Sequence, residues 1–271
     1  MQTDLPRRRF LASSLAASAL ALKAAAPVNA QQPAQASARE YYELRKFHLE
    51  SGPQQKLTNA YLEQALIPAV NRLGISPVGV FNLDIGPETP TLYLLLPSAA
   101  LETLVTAELH LVRDEEFMKA AHPFWTAPAA EPAFGRVESS LLIAFEGHPK
   151  LTVPPVTAQN GKRVFQLRTY ESPSNADHVR KVEMFHSGEF AIFEKAGFWQ
   201  LFYGDTLIGP RLPNLTYMLS FPDLAEMNGK WKAFSSDPDW KKLTSSPKYS
   251  YESIVSNITN LILSPVSYSQ I

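Results

Sequence analysis

A repeated pentapeptide is the feature that most limits how this chain can fold. ELRKF at residues 43–47 recurs as QLRTY at residues 166–170, and the matched leucines are 167 − 44 = 123 positions apart. The pairs that match at this offset include Arg45 with Arg168, Gly74 with Gly197, Pro90 with Pro213, Leu96 with Leu219 and Leu101 with Leu224. Because no gap interrupts this register, we interpret the chain as an internal duplication of one small domain.

Each copy predicts the same order of elements, βαββαβ, which is the split-βαβ or ferredoxin-like plan. Alternating residues predict strands, and apolar residues at helical spacing that end at a glycine predict the first helix. Pro68 predicts a kink in the first copy, whereas Ala191 at the equivalent position predicts a straighter helix. The predicted strands are residues 41–48, 77–83, 91–96 and 136–145, then 163–171, 198–205, 214–220 and 249–260. The predicted helices are residues 53–74 and 98–119, then 177–196 and 222–234.

A single sheet of this kind carries its helices on one face and leaves the other face bare. Two such sheets can cover each other and close an α+β barrel. The predicted fold class is therefore α+β, with two tandem ferredoxin-like repeats whose antiparallel sheets pack together. Duplication then has a physical reason, because one repeat alone would expose an apolar sheet face.

The N-terminal segment is typical of an export signal. Arg7-Arg8-Arg9-Phe10-Leu11 fits the twin-arginine pattern R-R-x-F-L, and a short alanine-rich apolar run follows. A general secretory signal is the alternative. We predict a cleavable signal over residues 1–30, a flexible tether over 31–38, the first repeat over 39–148, a proline-rich linker over 149–161 and the second repeat over 162–271. The expected location is the periplasm, with no stable membrane span once the signal is removed.

Composition excludes several classes of function. The chain has no cysteine, which excludes disulfides, thiolate nucleophiles and Cys-ligated zinc. Its 25 basic and 26 acidic residues give a net charge of −1, so nucleic acid is not an expected partner. A homo-oligomer remains open.

The ordered motifs resemble the NIPSNAP family. They are YELRKF and FQLRTY in the first strand of each copy, LG or AG at the end of the first helix, IGP in the turn, and DPDW after the second helix. The resemblance implies the tandem ferredoxin-like fold of the dimeric α/β-barrel superfamily, which includes cofactor-independent monooxygenases and haem-dependent enzymes. The first copy departs from the pattern, with Lys46-Phe47 in place of Thr-Tyr and RDEEF in place of DPDW.

Strand alternation divides the repeated motif between two faces. We expect Leu44 and Leu167 to point to the helices, and the polar residues of the motif to point into the barrel. The candidate ligand-binding residues are Glu43, Arg45, Gln166, Arg168 and Tyr170. The arginines are predicted either to hold an anionic or carbonyl-bearing ligand or to pair internally with Glu43, Glu138 or Glu252. Tyr170 is a hydrogen-bond donor or a wall aromatic.

The six histidines carry no zinc or haem signature. They are His48, His110, His122, His148, His178 and His186, and none lies in an H-E-x-x-H motif. We expect no metal and no cofactor, with haem as the remaining possibility. No catalytic residue and no enzyme activity are assigned.

Three hypotheses of function follow. The chain binds a small molecule in the barrel between its sheets, or it is a monooxygenase-like or haem-dependent enzyme using that space, or it is a non-catalytic oligomeric interaction protein. A barrel filled with apolar side chains, with Arg45 and Arg168 neutralised by glutamates, would favour the third.

Overall fold

The computed structural model describes residues 38–50 and 52–271. The predicted signal and all of the tether except its last residue lie outside this part of the chain, so their predictions stay predictions. Among the described residues, no helix has both the length and the apolar character needed to cross a membrane.

The first repeat contains four strands and five α-helices. Its elements are β1 (Tyr41–His48), α1 (Gly52–Tyr61), a π-helical turn (Leu62–Leu66), α2 (Ile67–Arg72), β2 (Gly79–Ile85), β3 (Thr91–Ser98), α3 (Leu101–Val105), α4 (Ala107–Leu111), α5 (Glu115–Trp125) and β4 (Arg136–Ala144). The predicted second helix is thus three short helices.

The second repeat has the same order. Its elements are β5 (Val164–Glu171), α6 (Asn175–Met184), a π-helical turn (Phe185–Glu189), α7 (Phe190–Lys195), β6 (Trp199–Ile208), β7 (Asn214–Phe221), α8 (Leu224–Ser236), α9 (Pro238–Thr244), a short 3₁₀ turn (Pro247–Tyr249), α10 (Tyr251–Ile254) and β8 (Asn257–Pro265).

The two repeats agree in detail at the offset of 123 residues. Strands β1 and β5 start 164 − 41 = 123 residues apart, and the π-helical turns start 185 − 62 = 123 apart. Backbone with positive φ also recurs, at Glu88 (63°) and Arg211 (58°). The last strands start only 257 − 136 = 121 residues apart, so the register slips by two before β4 and β8.

The predicted strand over residues 249–260 was wrong in its first half. Residues 247–249 and 251–254 are helical, and β8 begins at Asn257. Tyr249 and Ile254 are buried against Met184 of α6 instead of joining the sheet. Packing under the helix layer therefore overrides the alternation of this segment.

The eight strands form one closed antiparallel barrel in the order β1-β3-β2-β8-β5-β7-β6-β4. Within it each repeat keeps the ferredoxin-like order, β4-β1-β3-β2 and β8-β5-β7-β6. Two seams join the halves, with β2 hydrogen-bonded to β8 and β4 to β6. The predicted fold class is confirmed, and the sheets meet edge to edge as well as face to face.

Large apolar side chains from both repeats fill the interior of the barrel. The buried members of this interior cluster are Tyr42, Phe81, Leu83, Tyr93, Leu95, Leu142, Ala144, Phe165, Leu167, Leu201, Phe202, Met218, Leu261, Leu263 and Ile271. Leu151 and Val153 of the linker pack against the same cluster. The predicted linker therefore covers part of the core.

The predicted orientation of the repeated motif was reversed. Leu44 and Leu167 contact the interior cluster, whereas Phe47 and Tyr170 pack in the clusters beneath the helices. By strand alternation, Glu43, Arg45, Gln166 and Arg168 also lie on the helix side. Both faces of a covered barrel are buried, so alternation separates two faces but does not identify which one is inside.

Both repeats interrupt their first helix with a π-helical turn at the same place. The prediction of a straighter second copy was wrong, because the turn forms with Ala191 as it does with Pro68. Pro68 lies in the first turn of α2, where its missing N–H costs little.

Candidate functional site

An ion cluster centres on Arg45 between the sheet and the helices of the first repeat. Glu43 accepts two hydrogen bonds from the guanidinium, from Nε at 2.5 Å and from Nη2 at 3.1 Å. Glu108 of α4 accepts from Nη1 at 2.5 Å. Ser139 of β4 donates to Glu43 at 2.7 Å. Two carboxylates thus surround one guanidinium, which leaves the cluster with one net negative charge.

The cluster borders a cavity of about 490 Å³ with aromatic walls. Its lining residues are Arg45, Phe47, Tyr61, Glu108, Phe124, Trp125, Ala127, Pro132, Ala133, Phe134 and Val137. Arg45 and Glu108 also line a smaller neighbouring cavity of about 210 Å³. A mainly apolar cavity with a few convergent polar groups is the usual form of a small-molecule site.

Five aromatic rings build the cavity wall from four parts of the chain: β1, α1, α5 and the loop before β4. The Tyr61 and Phe124 rings stack, with centroids 3.9 Å apart. Phe134 lies 5.5 Å from Phe124 and 6.3 Å from Phe47. Trp125 completes the set near the solvent, with 38% of its surface exposed.

Burial and charge tune the polar groups of this site. Burial works to lower the pKa of Arg45, but hydrogen bonds and charge from Glu43 and Glu108 outweigh it and raise that pKa above its ordinary value. Burial raises the pKa of Tyr61, while a hydrogen bond from the Trp125 indole and the charge of Arg45 work against it. Arg45 is therefore a fixed cation, and Tyr61 is a neutral phenol at neutral pH.

In the second repeat the position equivalent to Glu108 holds an aromatic side chain. Position 108 + 123 = 231 holds Trp231, whose ring lies 4.5 Å from the Arg168 guanidinium carbon. Trp231 also donates to Gln166, and Gln166 donates to Asn260, at 2.6 and 2.9 Å. Where the first repeat places Glu43, Glu108 and Ser139, the second thus places Gln166, Trp231 and Asn260.

Arg168 and Tyr170 belong to a packed polar network. Arg168 Nε donates to the Tyr170 hydroxyl at 3.1 Å, and that hydroxyl lies 2.9 Å from the hydroxyl of Tyr217. Burial raises the pKa of Tyr217 well above its ordinary value. Of the five candidate residues predicted from sequence, only Arg45 lines the aromatic cavity. Glu43 accepts hydrogen bonds from Arg45 but does not line this cavity.

The barrel interior opens at one end into a polar cavity of about 370 Å³. Leu44 and Leu167 lie at this mouth, which is where the predicted ligand site between the sheets would have to be. Its charged groups are largely paired, with Lys46 at 2.7 Å from Glu88. The interior beneath it is packed with apolar side chains, and none of the three hypotheses anticipated the cavity under the helices.

No histidine lines the aromatic cavity. His178 contacts Asp205 at 2.7 Å, and His186 accepts a hydrogen bond from the Gly147 N–H. Across residues 38–50 and 52–271, no group of three or more His, Asp or Glu residues is placed to hold a metal ion. The aromatic cavity therefore offers no histidine ligand to a haem iron, and the expectation of no cofactor stays a prediction.

Sequence reasoning missed Glu108, Tyr61, Phe124, Trp125 and Phe134. One signal was available in the repeat itself, since Glu108 aligns with Trp231 and breaks the similarity of the copies. The AHPFW stretch at residues 121–125 also has no aromatic counterpart at the same offset, where residues 244–248 read TSSPK.

Comparison with known families agrees with the repeated motifs. The NIPSNAP family model matches residues 165–270. This part of the chain is a NIPSNAP domain. The match covers the second repeat, and the first repeat shares its fold and its backbone register without being matched. Among curated proteins, the comparison gives no match to this sequence.

Solved structures agree with the fold. A candidate monooxygenase from Lactobacillus acidophilus NCFM is 9% identical, with a TM-score of 0.53 over 84% of this chain and 94% of that chain. A candidate monooxygenase from Fusobacterium nucleatum is also 9% identical, with a TM-score of 0.54 over 85% and 94%. A NIPSNAP family protein from Agrobacterium tumefaciens C58 is 18% identical, with a TM-score of 0.36 over 45% and 96%. At these identities the likeness concerns the fold alone.

Proposed function

We propose that this NIPSNAP-domain protein binds a small molecule in the aromatic cavity of its first repeat. One observation carries the proposal: the first repeat has a cavity of about 490 Å³ lined by Glu108, and the second repeat has Trp231 at the position of this carboxylate. The two copies of one domain thus differ in charge and side-chain size at this position. The first repeat is the proposed binding half, because its cavity joins the Arg45 ion cluster to an aromatic wall.

The division of roles has a physical basis. A ligand site needs an unfilled space, and unfilled space costs stability because its lining residues lose contacts. In the second repeat Trp231, at the position of Glu108, packs against the rings of Phe193, Phe198 and Phe234. Reaction chemistry is not assigned.

The test is ligand retention by the intact protein. Native mass spectrometry and an absorption spectrum of protein purified from its own host should show a bound small molecule. Glu108→Trp copies the second repeat and should abolish retention while the far-ultraviolet circular dichroism stays unchanged. Glu102→Trp on exposed α3 is the matched control and should retain the ligand. Retention by the Glu108→Trp variant would contradict the proposal.

We also propose export by the twin-arginine route, on the support of Arg7-Arg8-Arg9-Phe10-Leu11. Changing Arg7 and Arg8 together to lysine should hold the protein in the cytoplasm of its host, as measured by cell fractionation. Unchanged export would instead support a general secretory signal.

A further inference from the structure

We propose that the aromatic cavity selects a cationic ligand, namely an ammonium group carried on an apolar or aromatic body. This inference rests on the proposed function and names its ligand class. It differs from the expectation of an anion that the arginines alone suggest. The reason lies in how the charges around the cavity are already paired.

The guanidinium of Arg45 has little capacity left for an anion. Its Nε, Nη1 and Nη2 atoms all donate to carboxylates, with Glu43 on one side and Glu108 on the other. Three of its five N–H groups are thus used, and an anionic ligand at the remaining two would lie close to two like charges. Such an arrangement is unfavourable in a partly buried site.

The surplus charge at the cavity is negative and accessible. Arg45 is one positive charge against the two negative charges of Glu43 and Glu108, so one carboxylate charge is uncompensated within the cluster. Glu43 and Arg45 have side chains only 13% exposed, whereas the Glu108 side chain is 54% exposed. Glu108 is therefore the carboxylate that a ligand entering from solvent would meet.

The walls of the cavity suit the same ligand. The side chains of Phe47, Tyr61, Phe124, Trp125 and Phe134 line the space. A cation close to an aromatic face is attracted by the π-electron density of the ring, and the apolar body of the ligand gains from burial. An aromatic wall beside one accessible carboxylate is complementary to an ammonium group and its hydrocarbon body.

The pair of carboxylates beside the arginine occurs in the first repeat and not at the equivalent positions of the second. Gln166 stands in place of Glu43 and Trp231 in place of Glu108, so both carboxylates of the cluster are replaced by neutral groups. The arginine is kept in both repeats, but the negative surplus exists only beside the cavity. Neutralising Arg45 takes one carboxylate, and the first repeat places two beside it.

The experiment uses three probes of matched shape, which are phenethylammonium, phenethyl alcohol and phenylacetate. Isothermal titration calorimetry of the full chain at low ionic strength should show the ammonium binding at least about tenfold more tightly than the alcohol, because a charged hydrogen bond contributes about 1.5–3 kcal/mol. Phenylacetate should bind most weakly. Glu108→Gln should remove the preference for the ammonium and leave the alcohol affinity nearly unchanged. Glu102→Gln makes the same change of charge outside the cavity and should have no effect.

The outcomes separate this inference from the proposed function. Equal binding of the ammonium and the alcohol, or a preference for phenylacetate, overturns the cation inference. If Glu108→Trp then abolishes binding of these probes, the cavity is still the binding site and the proposed function stands. An ammonium preference that survives Glu108→Gln also overturns the cation inference. Binding of none of the three probes counts against both the inference and the cavity as a binding site.

Discussion

Two ionic side chains, Lys181 and Glu189, face each other inside the second repeat. Their Nζ and Oε2 atoms are 2.7 Å apart, and their side chains are 0% and 2% exposed. The Lys181 ammonium also lies 4.4 Å from the Phe185 ring centroid and 5.1 Å from that of Tyr170. Burial raises the pKa of Glu189 even though the ammonium of Lys181 works to lower it.

Removing one partner of this pair should be far more harmful than removing both. Lys181→Met leaves the Glu189 carboxyl buried without its ammonium, and we expect the free energy of unfolding to fall by about 3–5 kcal/mol. The double variant Lys181→Met with Glu189→Leu should recover most of that loss, since the first repeat has Thr58 and Leu66 at these positions. Urea unfolding followed by circular dichroism measures both.

The pH dependence of stability tests the Lys181→Met variant in a second way. A carboxyl whose folded pKa is raised favours the folded state below its unfolded pKa, and this contribution is lost as pH rises through the folded pKa. The Lys181→Met protein should therefore be more stable at pH 5 than at pH 8, relative to the double variant. Equal losses in the single and double variants would contradict the account.

Arg45 and Arg168 show what one sequence pattern leaves undecided. The repeat predicts correctly that both are equivalent and that each needs a partner. On the helix side, Arg45 contacts Glu108 of α4 and Arg168 contacts Trp231 of α8. Each helix residue lies 63 positions after its arginine (108 − 45 and 231 − 168). No local pattern links a strand residue to so distant a helix. The internal pairing of Arg45 with Glu43, one of the three named partners, is confirmed.

At the level of elements, Asp114 and Asp237 start equivalent helices in the same way. Asp114 accepts from the Phe117 N–H at the start of α5 and pairs with Arg72 at 2.5 Å. Asp237 accepts from the Asp239 N–H at the start of α9 and pairs with Lys195 at 2.8 Å. Each pair ties a helix start to the end of the first helical segment of its repeat.

These caps should make folding sensitive to acid. The hydrogen bond from Arg72 lowers the pKa of Asp114, and that from Lys195 lowers the pKa of Asp237, both from 3.8. A lowered folded pKa stabilises above the unfolded pKa, and this contribution disappears as pH falls from 3.8 through the folded pKa. Changing both to asparagine keeps a capping side chain but removes the titration.

The measurement is thermal unfolding between pH 2 and pH 6. The unaltered protein should lose stability more steeply below pH 3.8 than the double asparagine variant. Asp223→Asn is the control, because Asp223 caps α8 through the Glu226 N–H and has no ion pair among the described residues. Parallel curves for the double variant and the unaltered protein would contradict the assignment.

Strands with strict alternation were predicted well, and segments that pack under the helices were not. Strand β1 has the predicted bounds, and β3 extends the predicted strand by only two residues. The segment around Tyr249 and Ile254 alternates too, but it folds against Met184, which lies more than 60 residues earlier in sequence. The two π-helical turns, LEQAL and FHSGE, share no proline or glycine, so no rule based on these residues predicts both turns.

On the scale of the whole molecule, the two repeats share one interior. Tyr42, Phe81 and Leu142 of the first repeat contact the same cluster as Phe165 and Phe202 of the second. The Phe81 and Phe165 rings meet at 4.8 Å, and those of Tyr42 and Phe202 at 5.0 Å. The sequence predicted that the two sheets cover each other, because the helices of each repeat cover only one of its two apolar sheet faces. It did not predict the seams, since edge pairing depends on strand curvature.

The shared interior predicts that the halves stay together after the chain between them is cut. A protease site inserted between Gln159 and Asn160, both exposed in the linker, should allow cleavage without disturbing either sheet. The seams β2–β8 and β4–β6 would still close the barrel. The cut protein should elute in size-exclusion chromatography at the position of the uncut chain and keep its circular dichroism spectrum.

Each repeat expressed alone should fail to remain a folded monomer. Separation exposes the inner sheet face and leaves two strand edges unpaired, and both features favour association. Residues 162–271 alone should therefore pair with another copy or aggregate, whereas mixing with residues 38–148 during refolding should restore the closed barrel. An isolated repeat that is monomeric, soluble and cooperatively folded would contradict the shared interior as the reason for the duplication, because each half would then be stable with its inner face in water.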